Sequence, residues 1–590
     1  MLSGAQGVAL KKLSTFLASG AAIGALLATV SPALAQTPPV VPQYNIGDAV
    51  READQARRAA PPQTTAAPVL PRLVEPQFTL KDKSTLFVRS FKVESPFKVE
   101  GQNPVSEAEI QAIVAPYQNR RLTIALIYEA ADKITSLYRE RGYLLAKAYV
   151  PAQDARGGVL RIKVVPGKYG SITVNNQSRV RDPYLRAFID HALAGSEFIE
   201  KDRLERAMLL VSDLPGAGMP RVTVGSGRQP ETSDFVFDVP QGRLFDGYVL
   251  GDNFGSPYTG RDRVSGGLNL NSPLGIGDRL SLFGMATEES GLLNGRVAYS
   301  LPIGFDGLRA EISAFRTTYA LGGIYKTIDA TGTATGESAM LTYALKRTRD
   351  DSIYLTGGYT HKVLNDNVFG TSIANRTIDL GTIGIERDTV GAIFGLPLAT
   401  STAFSYTGGN VDFPDPVQRA FNVAGVDTAG DYGRLNLSFL GTLALNDKFS
   451  FSTNLKAQAS LGKNLDTSEQ LSLTGFFGVR SFDEGLAADS GFVVTPELKY
   501  ALPDFYNYHH SLGLFTDVAG GWIANPGYTT TQKPFTQLND VGLAYYATYE
   551  YLPGRALFLK AMVAHTYGSN DGAQSYDRET KGLVQIGATF

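Results

Sequence analysis

Five histidines, His191, His361, His509, His510 and His565, are the side chains of this chain best suited to move protons near neutral pH. Hydrolysis asks for more than a base, because a nucleophile or a metal must be held beside it. None of the five lies in a G-x-S-x-G or H-E-x-x-H setting, so they read as polar surface or lumen residues and no catalytic residue is assigned. Cysteine is absent, which removes disulfides and thiolate metal sites, and neither a metal nor a cofactor is expected. No G-x-x-x-x-G-K-[ST] phosphate loop occurs either. A net charge of −2 with a pI near 6.3 lacks the basic footprint of a nucleic-acid partner.

One short stretch, DAVREADQARRAA from Asp48 to Ala60, is rich in charge and in alanine. Ala, Arg and Glu favour a helix there, and Asp48 is placed to cap its first turn. Its charged residues include Arg51, Glu52, Arg57 and Arg58, and an apolar face is nearly missing. A helix polar all round is either a solvated spacer or a guest in a wet cavity. Prolines at 38, 39, 42, 61, 62, 68, 71 and 76 surround it and mark residues 36–83 as an extended linker.

The elements on either side define the setting. Lys11 and Lys12 precede a small and apolar run from Leu13 to Val30, and Ala33-Leu34-Ala35 supplies a cleavage pattern before Gln36. Residues 1–35 therefore read as a secretory signal peptide. No other run is long and apolar enough to be a spanning helix, so a membrane would have to be crossed by strands.

Two small mixed units follow, over residues 84–168 and 169–241. In the first, Leu86, Val88, Phe91 and Val93 predict a strand, Ser106 to Tyr117 a short helix and Thr123 to Arg141 a longer one stopped by Gly142. Ala146 to Val150 and Val159 to Val165 predict two further strands. The second unit repeats the order: a strand at Ile172 to Val174, a helix opened by Pro183 and closed by Gly195, a helix striped by Leu204, Met208 and Val211, then strands at Arg221 to Val224 and Asp234 to Val239. Exposed sheet edges in such modules can accept an extended guest as another strand.

From 242 to 590 the helical period is lost. Phe449, Phe451, Leu455, Ala457 and Ala459 alternate with Ser450, Ser452, Asn454, Lys456 and Gln458, and Leu435, Leu437 and Phe439 alternate with Arg434, Asn436 and Ser438. In the closing GLVQIGATF, Val584, Ile586, Ala588 and Phe590 share one face, with Gln585 and Thr589 on the other. About 345 residues of this pattern suit roughly sixteen strands of a transmembrane antiparallel β-barrel, apolar toward lipid and polar toward a wet lumen.

This organisation resembles the outer-membrane transporters of two-partner secretion, the haemolysin secretion/activation type within the Omp85 superfamily, and the small units resemble POTRA domains. Tyr138, Gly142 and Tyr143, then Val150-Pro151-Ala152-Gln153 and Val164-Val165-Pro166-Gly167, are similar to the first POTRA pattern, with Pro166 where Glu is more frequent. Asp252-Asn253-Phe254-Gly255, Thr259-Gly260, Asn271 and Gly277-Asp278 resemble the family's first barrel hairpin. Gly478-Val479-Arg480-Ser481-Phe482 resembles the V-R-G-[FY] tip of the long sixth loop, and Phe515-Thr516-Asp517 the F-x-D motif of a barrel strand. Ser481 stands where Gly is usual, so a tip needing positive φ would be strained there, and Ala519 also replaces a common Gly.

The resemblance implies that the sixth loop folds back into the lumen and that Arg480 pairs with Asp517. It also implies that the helix near 48–60 plugs a resting pore. The function implied is export across the outer membrane, without nucleotide hydrolysis, of a secreted partner such as an adhesin, a cytolysin or a haem-binding protein. The POTRA-like units would receive that partner in the periplasm, and its folding outside would drive transport. Outer-membrane lipid is the other expected contact. Alternatives are an Omp85-type assembly or insertion factor and a porin, and a simple diffusion porin would not need periplasmic modules.

Overall fold

A computed structural model describes residues 44–58, 84–95, 104–288, 291–528, 534–568 and 580–590. The expected signal peptide and almost all of the proline linker lie outside the described residues.

Helix α1 (Ile46–Arg58) starts two residues before Asp48. Asn45 precedes it, its side chain accepting from the Gly47 amide at 2.8 Å. Asp48, inside the first turn, accepts from the Asn45 amide at 2.9 Å, so the reciprocal bonds satisfy two orphan donors.

The first periplasmic-type unit differs from expectation at its start. Leu86 and Val88 belong to β1 (Thr85–Val88), whereas Phe91 and Val93 belong to β2 (Ser90–Glu94). At the break, the Arg89 and Ser90 amides both donate to the Gly158 carbonyl, at 2.7 and 3.3 Å. Strand β1 pairs with β3 (Arg120–Thr123), while β2 runs parallel to β5 (Val159–Val165), which pairs on its other side with β4 (Lys147–Tyr149). Against these sheets pack α2 (Glu107–Val114), capped by a Ser106/Glu109 box, and α3 (Ile124–Glu140), which buries Ile127, Ala131, Ile134 and Tyr138.

The second unit has a three-stranded sheet in the order β6 (Lys168–Asn176), β8 (Thr232–Val239), β7 (Arg221–Ser226). Its helices α4 (Asp182–Leu193) and α5 (Lys201–Ser212) bury Phe188, Ile189, Leu204, Met208 and Val211 with Phe235 and Phe237. This unit is docked on the barrel. Phe305, in a turn between barrel strands, meets Phe188 and Tyr184 ring to ring, at 5.5 and 6.3 Å. Arg206 bonds Asp306 at 2.9 Å and Arg347 bonds Asp213 at 2.8 Å. Gly307, at φ +84°, lets the turn approach so closely that a Cβ there would lie 2.9 Å from a Leu210 methyl.

The barrel begins with β9 (Phe245–Asp252), β10 (Arg263–Asn271), β11 (Arg279–Thr287), β12 (Leu292–Ile303) and β13 (Leu308–Ala320). Longer strands follow: β14 (Thr331–Arg347), β15 (Asp351–Val368), β16 (Thr371–Ile393), β17 (Leu396–Asp412), β18 (Gly430–Ala444) and β19 (Phe449–Ser460). A small hairpin, β20 (Leu471–Ser472) with β21 (Ala487–Ala488), lies within the next loop. Strands β22 (Ser490–Ala501), β23 (Tyr508–Trp522), β24 (Phe535–Leu552), β25 (Arg555–Thr566) and β26 (Thr580–Thr589) complete a closed antiparallel barrel of sixteen strands. Closure pairs backbone groups between neighbouring strands around the whole wall, as a bilayer interior requires.

Alternation follows the expected logic. On β26, Val584 and Ile586 are exposed while Lys581 and Gln585 are buried toward the lumen; on β10, Val264 is exposed while Arg263 is buried. The seam between the last and first strands is short. Strand β26 pairs with β9 from Gln585/Asp252 to Thr589/Tyr248, and Gly247 and Phe590 exchange backbone bonds at 3.0 and 3.1 Å. At Asn253 the backbone amide donates to the Val584 carbonyl at 3.3 Å, while the side chain accepts from the Val584 amide at 2.9 Å and donates to the Gly582 carbonyl at 3.1 Å.

Candidate functional site in the barrel lumen

Among the described residues, two elements occupy the lumen: the loop between β19 and β22, and helix α1. The loop doubles back through the β20/β21 hairpin, which brings Val479, Arg480, Ser481 and Phe482 against the inner wall formed by β22 to β25. Val479 and Phe482 are fully buried with Leu473, Leu486, Val493, Ala519 and Leu538. That apolar patch anchors the tip on either side of its one guanidinium.

Arg480 meets Asp517 side by side, Nε to Oδ2 at 2.8 Å and Nη2 to Oδ1 at 2.9 Å. Its backbone amide adds a third bond to Oδ2 at 3.2 Å, and its guanidinium lies 3.5 Å above the centre of the Phe515 ring. A planar, bidentate, stacked geometry is one that lysine could not reproduce. With the arginine and aspartate side chains 7% and 0% exposed, removing one partner leaves a buried charge and costs roughly 3 to 5 kcal/mol.

The next residue makes a contact that the motifs did not reveal. The Ser481 amide donates to Asp540 Oδ2 at 2.8 Å, and Asp540 Oδ1 accepts from the Asp517 amide at 3.2 Å. Ser481 is absent from the residues with positive φ, so the serine is not strained as its replacement of glycine suggested. Asp483 continues the clamp, paired with Arg261 at 2.6 Å and with Lys581 at 3.1 Å.

Helix α1 lies against the opposite wall and corrects the expectation of an all-polar surface. Ile46, Ala49, Val50, Ala53 and Ala56 form a narrow apolar stripe buried with Met285, Leu292, Tyr319, Leu364 and Ile378. Small side chains hid this face in the sequence, since alanine fits a close-packed wall without marking a strong period. Gly47 permits a second close approach, for a Cβ there would lie 2.1 Å from Thr467 Oγ1 of the folded-back loop.

The charged side of α1 is also used. Arg51 bonds Asp48 at 2.6 Å and donates to the Thr467 carbonyl. Glu52 accepts from Arg263 Nη1 at 3.0 Å and from the Tyr44 hydroxyl at 3.0 Å. Arg263 also bonds Asp252 at 2.8 Å, so the helix is tied to the first barrel hairpin. Burial pushes the Asp48 and Glu52 carboxyls up, with Arg51 and Arg263 respectively opposing it. Arg57 pairs with Asp54 on the helix itself, at 2.5 Å; Arg58 is its last residue.

At the start of α1, the Ile46 amide and the Tyr319 hydroxyl both donate to Asp366 Oδ1 at 2.8 Å. Arg376 joins Asp366 to Asp466 of the loop, and Lys362 and Arg434 bond Glu469. Of these residues, the sequence pattern marked only Arg434, as part of the polar face of its strand. Their signal is a charged residue at an inward strand position, visible only once the register is known.

Residues 231–544, more than half of the sequence, match the family described as haemolysin secretion/activation protein ShlB/FhaC/HecB, and residues 95–167 match the ShlB-type POTRA domain. The chain belongs to this family. Among relatives, the heme/hemopexin transporter protein HuxB of Haemophilus influenzae strain 86-028NP is 26% identical over 449 residues, covering 74% of this chain and 77% of its own. The outer membrane transporter CdiB of Escherichia coli is 24% identical over 505 residues, covering 80% and 77%. The solved structure of CdiB from Escherichia coli superposes with a TM-score of 0.67 at 19% identity, over 95% of this chain and all of that one. CdiB from Acinetobacter baumannii gives 0.61 at 15% identity, over 92% and 97%.

The protein is thus an outer-membrane transporter of the two-partner secretion type, with a POTRA domain in the periplasm and a sixteen-stranded barrel for export of a partner protein.

Proposed function

We propose that the protein receives the extended amino-terminal region of a secreted exoprotein on its two POTRA-like units, residues 84–168 and 169–241, and passes it through the barrel after α1 has left the lumen. The partner belongs to the adhesin, cytolysin or haem-binding class, and its folding outside the cell drives transport in place of a nucleotide. The observation that carries this reading is the lodging of α1 between the β10 to β16 wall and the folded-back loop, joined to both by Glu52 and Arg51. A helix held by a few ion pairs and small side chains is a removable plug, unlike a continuous apolar core. Strand addition suits the receiving step, since main-chain bonds tolerate varied cargo sequences while alternate pockets select among them.

The test is co-expression with a candidate exoprotein that carries an amino-terminal two-partner secretion signal. Wild-type protein releases the exoprotein into the medium, and a variant in which α1 is tethered to β10 by a reducible, spacer-containing thiol cross-linker between Glu52→Cys and Arg263→Cys releases it only after reduction. Export by the cross-linked variant at the wild-type level overturns the reading.

A further inference from the structure

The surroundings of Arg263 contain one carboxylate more than its present bonds use. Its side chain is 2% exposed and sits between Asp252 and Glu52. Both oxygens of Glu52 are engaged, one by Arg263 and one by Tyr44. Departure of α1 removes Tyr44 and Glu52 together and leaves Arg263 with Asp252 alone. Asp252 is itself shared, since its Oδ1 also accepts from the Phe254 amide at 3.1 Å.

Glu484 lies in the same enclosure, on the folded-back loop. It is 4% exposed, and its Oε1 has no hydrogen-bond partner although a buried carboxylate oxygen ordinarily acquires one. The side chain is pressed onto Gly475, where a Cβ would lie 2.0 Å from Oε1. Its neighbour Asp483 is taken by Arg261 and Lys581.

We propose that Glu484 is the exchange partner of the plug: as α1 leaves, Glu484 ionises and replaces Glu52 as the second counter-ion of Arg263. The inference rests on the plug reading above and names the residue that makes plug removal reversible. While α1 is in place, burial first and the Glu52 charge second push the Glu484 carboxyl up to about 7, with Arg263, Lys581 and Arg51 opposing them. Asp252 stands across Arg263, and Asp483 adjoins Glu484 on its own loop. Two ionised glutamates beside one guanidinium repel each other. Once Glu52 has gone, the same guanidinium draws Glu484 into the ionised form, and one proton passes to water for each helix released.

Glu484 is harder to ionise in the plugged state than in the open one, so opening is favoured at high pH and suppressed as pH falls through about 7. The experiment records opening of the full-length protein in planar bilayers at pH 7.5 and pH 5.5. Wild-type opening falls roughly twentyfold between them. Glu484→Gln stays near the low wild-type level at both, and the difference between Gln and Glu at 484 vanishes in an Arg263→Gln background. A Glu484→Gln protein with the wild-type pH response overturns the proposal. If that variant does not assemble, Arg263→Gln alone must flatten the response, and an unchanged slope overturns it. Deletion of residues 46–58 separates the two ideas: unaltered conductance defeats the plug reading, whereas a constitutively open pore combined with a pH-sensitive Glu484→Gln variant defeats only this one.

Discussion

Asp517 and Asp540 stand directly opposite each other on β23 and β24, and consecutive residues of the loop tip bind them, Arg480 the first and Ser481 the second. One side chain and one main-chain amide thereby fix both the position and the direction of the tip. A carboxylate pair that close is tolerated because a guanidinium and three backbone amides converge on it.

Reversing the Arg480 and Asp517 charges tests the pair by itself. Arg480→Asp and Asp517→Arg each abolish most secretion, and the double variant recovers part of it. The recovery is incomplete because the swapped arginine loses the Phe515 face. Exoprotein in the culture medium is the readout, and a double variant no better than either single one removes the pairing from the mechanism.

Asp540 is expected to hold the tip through acceptor chemistry more than through charge. Asp540→Ala strands two buried amides, at about 1 to 3 kcal/mol each, whereas Asp540→Asn keeps one acceptor oxygen and strands only one of them. Limited proteolysis of the folded barrel in detergent should cut the 473–486 segment faster in the alanine variant than in the asparagine variant, and both faster than in wild type.

On the proposed reading, removing α1 clears the part of the lumen beside the folded-back loop. Deletion of residues 46–58 is expected to raise single-channel conductance several-fold over wild type in planar bilayers, with the barrel still heat-modifiable on gels as a sign of folding.

Docking of the second unit depends on close approach more than on its ion pairs. The partly exposed Arg347/Asp213 bridge contributes at most about 1 kcal/mol, so Arg347→Ala leaves the unit in place. Gly307→Val adds both a clash with Leu210 and an unfavourable positive φ, at a cost of roughly 1 to 3 kcal/mol. Faster hydrogen exchange in α5 of the valine variant, and none in the alanine variant, is the expected pattern.

Much of the fold was legible because its elements carry a single strong period. Val159–Val165 alternates cleanly and forms β5 with those bounds. The split between β1 and β2 was also written in the chain, for the apolar phase slips from Leu86 and Val88 to Phe91 and Val93. Strand β3 escaped notice because Arg-Arg-Leu-Thr offers one apolar side chain and runs straight into α3. Family motifs located Arg480 and Asp517. They could not locate Asp540, whose partner is a main-chain amide, or Arg376 and Glu469, whose partners arrive from distant turns of the chain. Long-range pairing of this kind has no local signature.

The seam where β26 returns to β9 has a mechanical meaning. Its backbone rungs run from Phe590 as far as Asn253, whose amide reaches the Val584 carbonyl at 3.3 Å, and the Asn253 side chain adds bonds to Val584 and Gly582 at that end. Under outward strain from a passing chain, a wall fails first at its least-bonded joint, which here is the upper part of the first and last strands. Arg263 and Asp252 sit beside that joint and Glu52 reaches it from inside. On the reading proposed above, the helix is a brace as well as a stopper, stiffening the cylinder along its weakest line until the moment of transport.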